Sequence, residues 1–143
     1  SCIGPWKRPR LTPNPAIILK RGALFMPFGT PGGDVQVQAM AQVFLNMVEF
    51  GMDPQQAIEA PRVNSLSFPN SFWPHAYSPG LLALENRIGD DVRRRLSKRG
   101  HKLEVWNDWA SNAGSVCAIV SDAERGILIG GADIRRDGYV SGR

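Results

Sequence analysis

The stretch that most constrains this chain is FGTPGGDVQVQAMAQVFLNMVEFG, residues 28–51. An apolar run reaches Gly29, a Pro-Gly-Gly turn follows, and a long apolar segment starts at Asp34. Asp34 to Phe50 reads as a helix, with Asp34 as N-cap or first-turn anion and Gly51 just past its end. Gln38, Gln42, Asn46 and Glu49 recur at helical spacing and form one polar stripe. Val37, Met40, Ala41, Val43, Phe44, Leu45, Met47 and Val48 occupy the remaining faces. A helix apolar over most of its circumference is covered on more than one side, which makes this one central to the fold.

The glycine pair ahead of that helix carries the chemistry. The first N–H groups of a helix lack intrahelical partners, and the dipole draws negative charge to that end. Gly32 and Gly33, with no Cβ, let a ligand approach the backbone there. Three readings compete: a tight turn and nothing more, a phosphate cradle, or an oxyanion hole for acyl transfer. The phosphate reading is weak, because a P-loop needs Lys and Ser/Thr where Asp34 and Val35 stand. An oxyanion hole needs a nucleophile. Thr12 and Thr30 are the only threonines, and neither has a histidine neighbour. Ser1 and Cys2 stay open as a second route, since an N-terminal Ser or Cys can use its own α-amine as base.

The rest of the chain reads as short elements without repeats or linkers, one domain over residues 1–143. Four prolines in residues 1–15 make an extended lead-in. Ala16–Leu19 and Ala23–Phe28 flank Lys20-Arg21-Gly22 as a hairpin. Asp53-Pro54 opens a short helix that Pro61 stops. Strands are expected at Val63–Phe68, Leu81–Leu84, Lys102–Trp106, Ser115–Val120 and Gly126–Ile129, with an aromatic loop over 69–80. Ile88, Val92 and Leu96 mark a basic helix from Asn86 to Arg99, closed by Gly100. The fold class is α+β: an antiparallel sheet with helices packed on it.

A hydrophobic fraction of 43% with 21% charged residues belongs to a globular chain. No window approaches the 18 or so apolar residues of a membrane span, and the N-terminal SCIGPWKRPR does not read as a signal peptide. The net charge of +4 raises nucleic acid as a partner. The cations of 93–99 spread around their helix behind Asp90 and Asp91, so a solvated face is the expectation and nucleic acid is not. A non-catalytic anion- or nucleic-acid-binding module built on helix 86–99 is the alternative from another class. His75 and His101 lack ligand-spaced neighbours, and Cys2 and Cys117 require no bridge, so no metal or cofactor is expected.

Several motifs in register then resemble the small subunit of the γ-glutamyltransferase family. GPWKRPRLTPNP, the hairpin, GTPGG, the helix ending in FGM, and AIEAPR follow the family's G-P-x-K-R-P, G-[ST]-P-G-G, [FY]-G-M and A-x-x-A-P-R in order. RGHKLEV and GGADIRRDG continue the match over nearly the whole chain. The resemblance implies an N-terminal-nucleophile hydrolase with an αββα sandwich. Its precursor cleaves itself and frees a threonine that attacks a γ-glutamyl or related small amide, and water or an amine then takes the acyl group. It places Gly32 and Gly33 at the oxyanion hole, and the Ser-Ser pair that holds the substrate carboxylate on Leu11 and Thr12. Thr12 keeps a hydroxyl; Leu11 does not. That departure points away from glutathione-type specificity, toward an amidase-like branch acting on other small acids or amides.

The family's Thr-x-His nucleophile segment and its upstream substrate-binding acid have no counterpart in this sequence. The resemblance therefore implies the C-terminal part of a small subunit, silent by itself, whose partner is the remainder of its own precursor, large subunit included. Self-association of such a piece through an uncovered apolar face is a further expectation. Arg62 is expected in a structural ion pair, and Arg135, Arg136 and Asp137 in structural hydrogen bonds. Trp106, Asp108 and Trp109 are expected to be surface packing in a loop near the pocket.

Overall fold

A computed structural model of the chain describes residues 2–8 and 11–142. The lead-in is followed by a hairpin of β1 (Ala16–Lys20) and β2 (Ala23–Gly29). Its two-residue loop holds Arg21 at φ 53° and Gly22 at φ 83°, the paired positive values that match the twist of the flanking strands. β6 (Cys117–Asp122) pairs with β2, and β7 (Ile127–Ala132) with β6, giving an antiparallel sheet in the order β1-β2-β6-β7.

A second, smaller sheet holds β3 (Val63–Ser65), β4 (Leu81–Glu85) and β5 (Lys102–Trp106) in the order β3-β4-β5. β3 and β4 are antiparallel, but β4 and β5 are parallel. The crossover between them is α3 (Asp90–Lys98), which returns the chain to the same end of the sheet. Periodicity in short runs does not encode strand direction, so an all-antiparallel reading missed this pair. α3 also starts later than the sequence pattern suggested. Glu85 accepts the Ile88 N–H, the Asn86 N–H reaches back to Trp106, and Gly89 stands extended as the N-cap, so residues 86–89 form a turn.

α1 (Val35–Val48) and α2 (Pro54–Glu59) cover one face of the larger sheet. Met26, Ala39, Val43, Ala57, Ile58, Val116, Ala118 and Val120 form the core between them. α2 opens with a capping box, in which Asp53 accepts from the Gln56 N–H at 2.8 Å and Gln56 accepts from the Asp53 N–H at 3.2 Å. α1 is covered on fewer sides than its composition predicts. Val37 is 66% exposed and Phe50 70%, with Leu45 and Val48 also open. The far face of the large sheet is likewise apolar and uncovered, with Pro27, Ile119, Tyr139 and Val140 along a broad hollow.

Of the polar stripe, Glu49 is exposed, but Gln38, Gln42 and Asn46 bond to neighbouring backbone. Gln42 donates to the Val63 carbonyl and accepts from the Val63 N–H, both at 2.9 Å. Gln38 does the same to Ser65 at 3.1 and 2.8 Å. Each amide supplies the donor and acceptor that a neighbouring strand would, and so closes the edge of β3. Gln55 on α2 repeats the device on Ala132 of β7.

A buried ionic cluster joins the two sheets. Glu85, at the end of β4, is fully buried and accepts from Arg135 Nε at 2.7 Å, the Arg62 N–H at 2.9 Å and the Ala110 N–H at 3.0 Å. Asp133 accepts from Arg62 at 2.7 Å, Arg135 at 3.1 Å and the Val116 N–H at 3.0 Å. The two guanidiniums also donate to the carbonyls of Ile58, Ala60 and Ala113, while Arg62 Nε is buried without a partner. Arg87 adds a partly exposed contact to Glu85 and stacks 3.5 Å from the Trp109 ring centre. Arg62 and Arg135 thus take the structural parts that the motifs suggested, and Trp109 is packing.

Burial raises the Glu85 carboxyl, but hydrogen bonds from Arg135 and from the Arg62 and Ala110 N–H groups outweigh it and hold it below the ordinary value. Burial also lowers the Arg62 guanidinium, only partly offset by Asp133. Arg135 is lowered by burial too, yet ends raised because Glu85 and Asp133 hold its charged form.

Two stability outcomes follow from these contacts. Gln42→Met strips both partners from Val63 at a half-buried edge and should cost about 1–3 kcal/mol in urea unfolding. Glu85→Gln leaves the two buried guanidiniums sharing the single carboxylate of Asp133 and should cost about 3–5 kcal/mol near neutral pH. Because the folded Glu85 carboxyl is depressed, its stabilisation is present above the unfolded value of about 4.3 and is lost as pH falls through the lower folded value. The gap in melting temperature between wild type and Glu85→Gln should therefore narrow below about pH 4.

Candidate active site

The turn between β2 and α1 is built from both sides. Gly29 ends β2 opposite Cys117, and Thr30 is buried beneath the turn. Thr30 Oγ1 accepts from the Ser115 N–H at 2.7 Å and donates to the Pro31 carbonyl at 2.8 Å. The buried Gln36 donates to the Thr30 carbonyl at 2.8 Å. The hydroxyl of Thr30 is thereby committed to holding the backbone, which removes it as a free nucleophile.

Above this base, Gly32 has φ 133° and Gly33 φ 62°. A Cβ on Gly32 would stand 2.5 Å from Val35 Cγ1, and one on Gly33 2.8 Å from Phe72 Cε2. Both positions demand glycine, by backbone conformation and by space. The Gly33 carbonyl accepts the Gln36 N–H at 3.1 Å. Neither glycine N–H makes a hydrogen bond among the described residues. Gly32 is exposed and Gly33 half-buried, so the turn is not sealed in the interior.

Asp34 sits at the N-cap position but does not cap, having helical angles and no side-chain bond to the first turn. Its carboxylate instead accepts from the N–H and the hydroxyl of Ser71. That ties the 69–80 loop to the head of α1 and lays Phe72 against Gly33. The expectation of an Asp34 cap fails because a residue already helical cannot swing its carboxylate onto the N–H groups behind it.

In front of the turn lies a cleft of about 430 Å³, bordered by Gly32, Asn64, Phe72, Trp106, Asn112 and Arg136 among others. Trp106 therefore borders the pocket and is more than surface packing, its indole N–H held by Glu104 at 2.8 Å. Arg136 donates to the Ser111 carbonyl at the rim, at 3.2 Å. Asn64 is 7% exposed, and its buried Oδ1 has no hydrogen-bond partner. Asn64, Phe72 and Asn112 escaped sequence reading, since no motif marks them; the register of β3 and the Asp34–Ser71 contact bring the first two here.

Leu11 is 70% exposed and Thr12 half-buried, and neither borders this cleft. Asn14 donates to Met40 Sδ at 3.7 Å, so the lead-in runs beside the first half of α1. Ser1 lies outside the described residues, and Cys2 and Cys117 are free and exposed. Among the described residues there is no group of three or more His, Cys, Asp or Glu side chains able to hold a metal ion. No helix is long and apolar enough to cross a membrane. On α3, Arg93 pairs with Asp90 and Arg95 with Asp91, so part of the positive charge is balanced on its own helix.

A family model described as gamma-glutamyltranspeptidase matches residues 1–143. The chain is 37% identical to a glutathione hydrolase-like proenzyme of Bacillus subtilis, over 98% of its own length and 25% of the relative's. It is 32% identical to an oxamate amidohydrolase proenzyme of Klebsiella pneumoniae, again over 98% of this chain and 25% of the other. Its fold superposes on the cephalosporin acylase of Bacillus halodurans with a TM-score of 0.76 at 31% identity, covering 89% of this chain and 22% of that one. The chain thus spans about a quarter of the length of these relatives. The α+β architecture, the glycine turn at the head of α1 and these matches agree: the chain belongs to the gamma-glutamyltranspeptidase family.

Proposed function

We propose that this chain supplies the oxyanion-binding half of an amide-cleaving acyl-transfer site. The N–H groups of Gly32 and Gly33 receive the carbonyl oxygen as it turns negative. A threonine hydroxyl from a preceding segment of a longer precursor makes the attack, and the acyl group passes to water or an amine. The observation that carries this reading is a pair of unbonded N–H groups at the head of a fourteen-residue helix, with Gly32 bordering an open cleft. The relatives' names, a glutathione hydrolase-like protein, an amidohydrolase and an acylase, lie within one chemistry. Thr30 is committed elsewhere, which supports a nucleophile supplied by another segment.

The substrate is a small acid amide. Leu11 stands where the family pattern has a serine that holds a carboxylate, and Thr12 keeps a hydroxyl beside it. The uncovered faces of α1 and of the large sheet are where the remainder of the precursor packs. In the isolated piece the same surfaces would favour self-association.

In the whole, processed protein, release of amine from small-acid amides should be measurable. Gly32→Ala should lower kcat by about 10²–10³-fold with a small change in KM. Full turnover by a folded Gly32→Ala protein would remove the oxyanion reading. Leu11→Ser should raise kcat/KM for γ-glutamyl amides about tenfold relative to other amides, an effect the size of one added hydrogen bond to a charged group.

A further inference from the structure

β3 carries its cleft residue in a fixed direction. Val63 and Ser65 are held on one side by Gln42 and Gln38 of α1 and on the other by β4. Asn64 lies between them, paired with Ala83, and borders the cleft in front of Gly32. It is more than nine-tenths buried, and its Oδ1 has no partner. A buried amide oxygen without a donor is costly unless a ligand supplies one. Among the described residues Arg62 Nε and Arg93 Nε are also buried without a partner, but neither residue borders this cleft, whereas Gln36, Thr30, Glu85 and Asp133 are satisfied.

We propose that Asn64 is a specificity residue: its Oδ1 accepts a hydrogen bond from an N–H of the departing or accepting amine, so the cleft selects amines that carry a second, polar N–H donor. The inference rests on the amide-cleaving reading above. The amine side is assigned because Leu11 and Thr12, the acyl-side positions of the family pattern, do not border this cleft. The lining agrees with such a guest. Glu104 adds a second acceptor, while Phe72 and Trp106 offer apolar walls to the short carbon stem. Arg136 at the rim disfavours a second cation there.

The test compares two substrates of nearly equal shape in the whole, processed protein, both built on the small acid whose amide it cleaves fastest: the N-acyl-glycinamide, whose departing amine carries an extra N–H donor, and the N-acyl-glycine methyl ester, whose amine lacks it. Wild type should favour the amide by about tenfold in kcat/KM, mainly through KM. Asn64→Leu, of similar volume, should bring the ratio close to one while leaving turnover of the ester nearly unchanged. Asn64→Asp keeps an acceptor oxygen and should retain the preference. A ratio that survives in Asn64→Leu, an equal loss on both substrates, or a preference lost in Asn64→Asp would each overturn the proposal. If Asn64→Leu does not fold, Asn64→Asp decides by itself. Wild type that releases amine from no small-acid amide removes the amide-cleaving reading, and this inference with it, an outcome distinct from activity with an unchanged ratio.

Discussion

Two carboxylates and two guanidiniums without access to water sit where the end of α2, the end of β4, the 111–113 turn and the segment after β7 meet. The rest of the structure is hung on this contact. The two sheets share no strand, and Glu85 and Asp133 belong to one sheet each. Arg135 reaches both carboxylates, so the relative placement of the sheets is fixed by a guanidinium whose planar donors leave little angular freedom. Pairing alone would not repay the burial of four charges. What supports the arrangement is that backbone N–H groups add to each carboxylate and carbonyls add to each guanidinium, Arg62 Nε alone of their nitrogens staying without a partner.

That cluster also sets the floor of the cleft. Arg62 donates to the Ala113 carbonyl, which fixes the turn leading into Ser115. The Ser115 N–H in turn donates to Thr30 under the glycine turn. A continuous chain of buried hydrogen bonds thus runs from the inter-sheet cluster to the backbone that carries Gly32 and Gly33. On the proposed reading these N–H groups wait in place for a developing charge, and such donors need this kind of support, because any energy spent on reorienting them is lost from the reaction.

Much of this was legible in the amino-acid sequence, and the failures share a cause. The hairpin around Gly22, the Asp53-Pro54 helix start and the glycine turn are written in local chemistry: positive φ, a cap, a missing Cβ. The long helix was legible too, but the meaning of its polar stripe was not. Gln38 and Gln42 look like solvent-facing positions until β3 is laid beside them, and only then does each amide find a strand N–H and carbonyl to pair. Glu85 is the same case. A lone glutamate ending an apolar run carries no sign that two arginines, one from a position 23 residues before it and one 50 after, will enclose it. Arg62 and Arg135 were recognisable only through the motifs around them. Asn64 and Phe72 reach the cleft through long-range contacts that no spacing rule records.

The surfaces left unsatisfied divide by chemistry, and the division says what each is for. Val37, Leu45 and Val48 on α1, and Ile119 and Tyr139 on the far sheet face, are apolar and ask only for contact area. They suit the packing of further protein, where many weak contacts sum without demanding orientation. The Gly32 N–H and Asn64 Oδ1 are directional, and both residues border one cleft. Packing protein against them would need matched donors and acceptors at fixed angles; a small polar substrate brings both. Directional groups supported by buried hydrogen bonds therefore mark the chemical side of this chain, and the apolar faces mark its structural side.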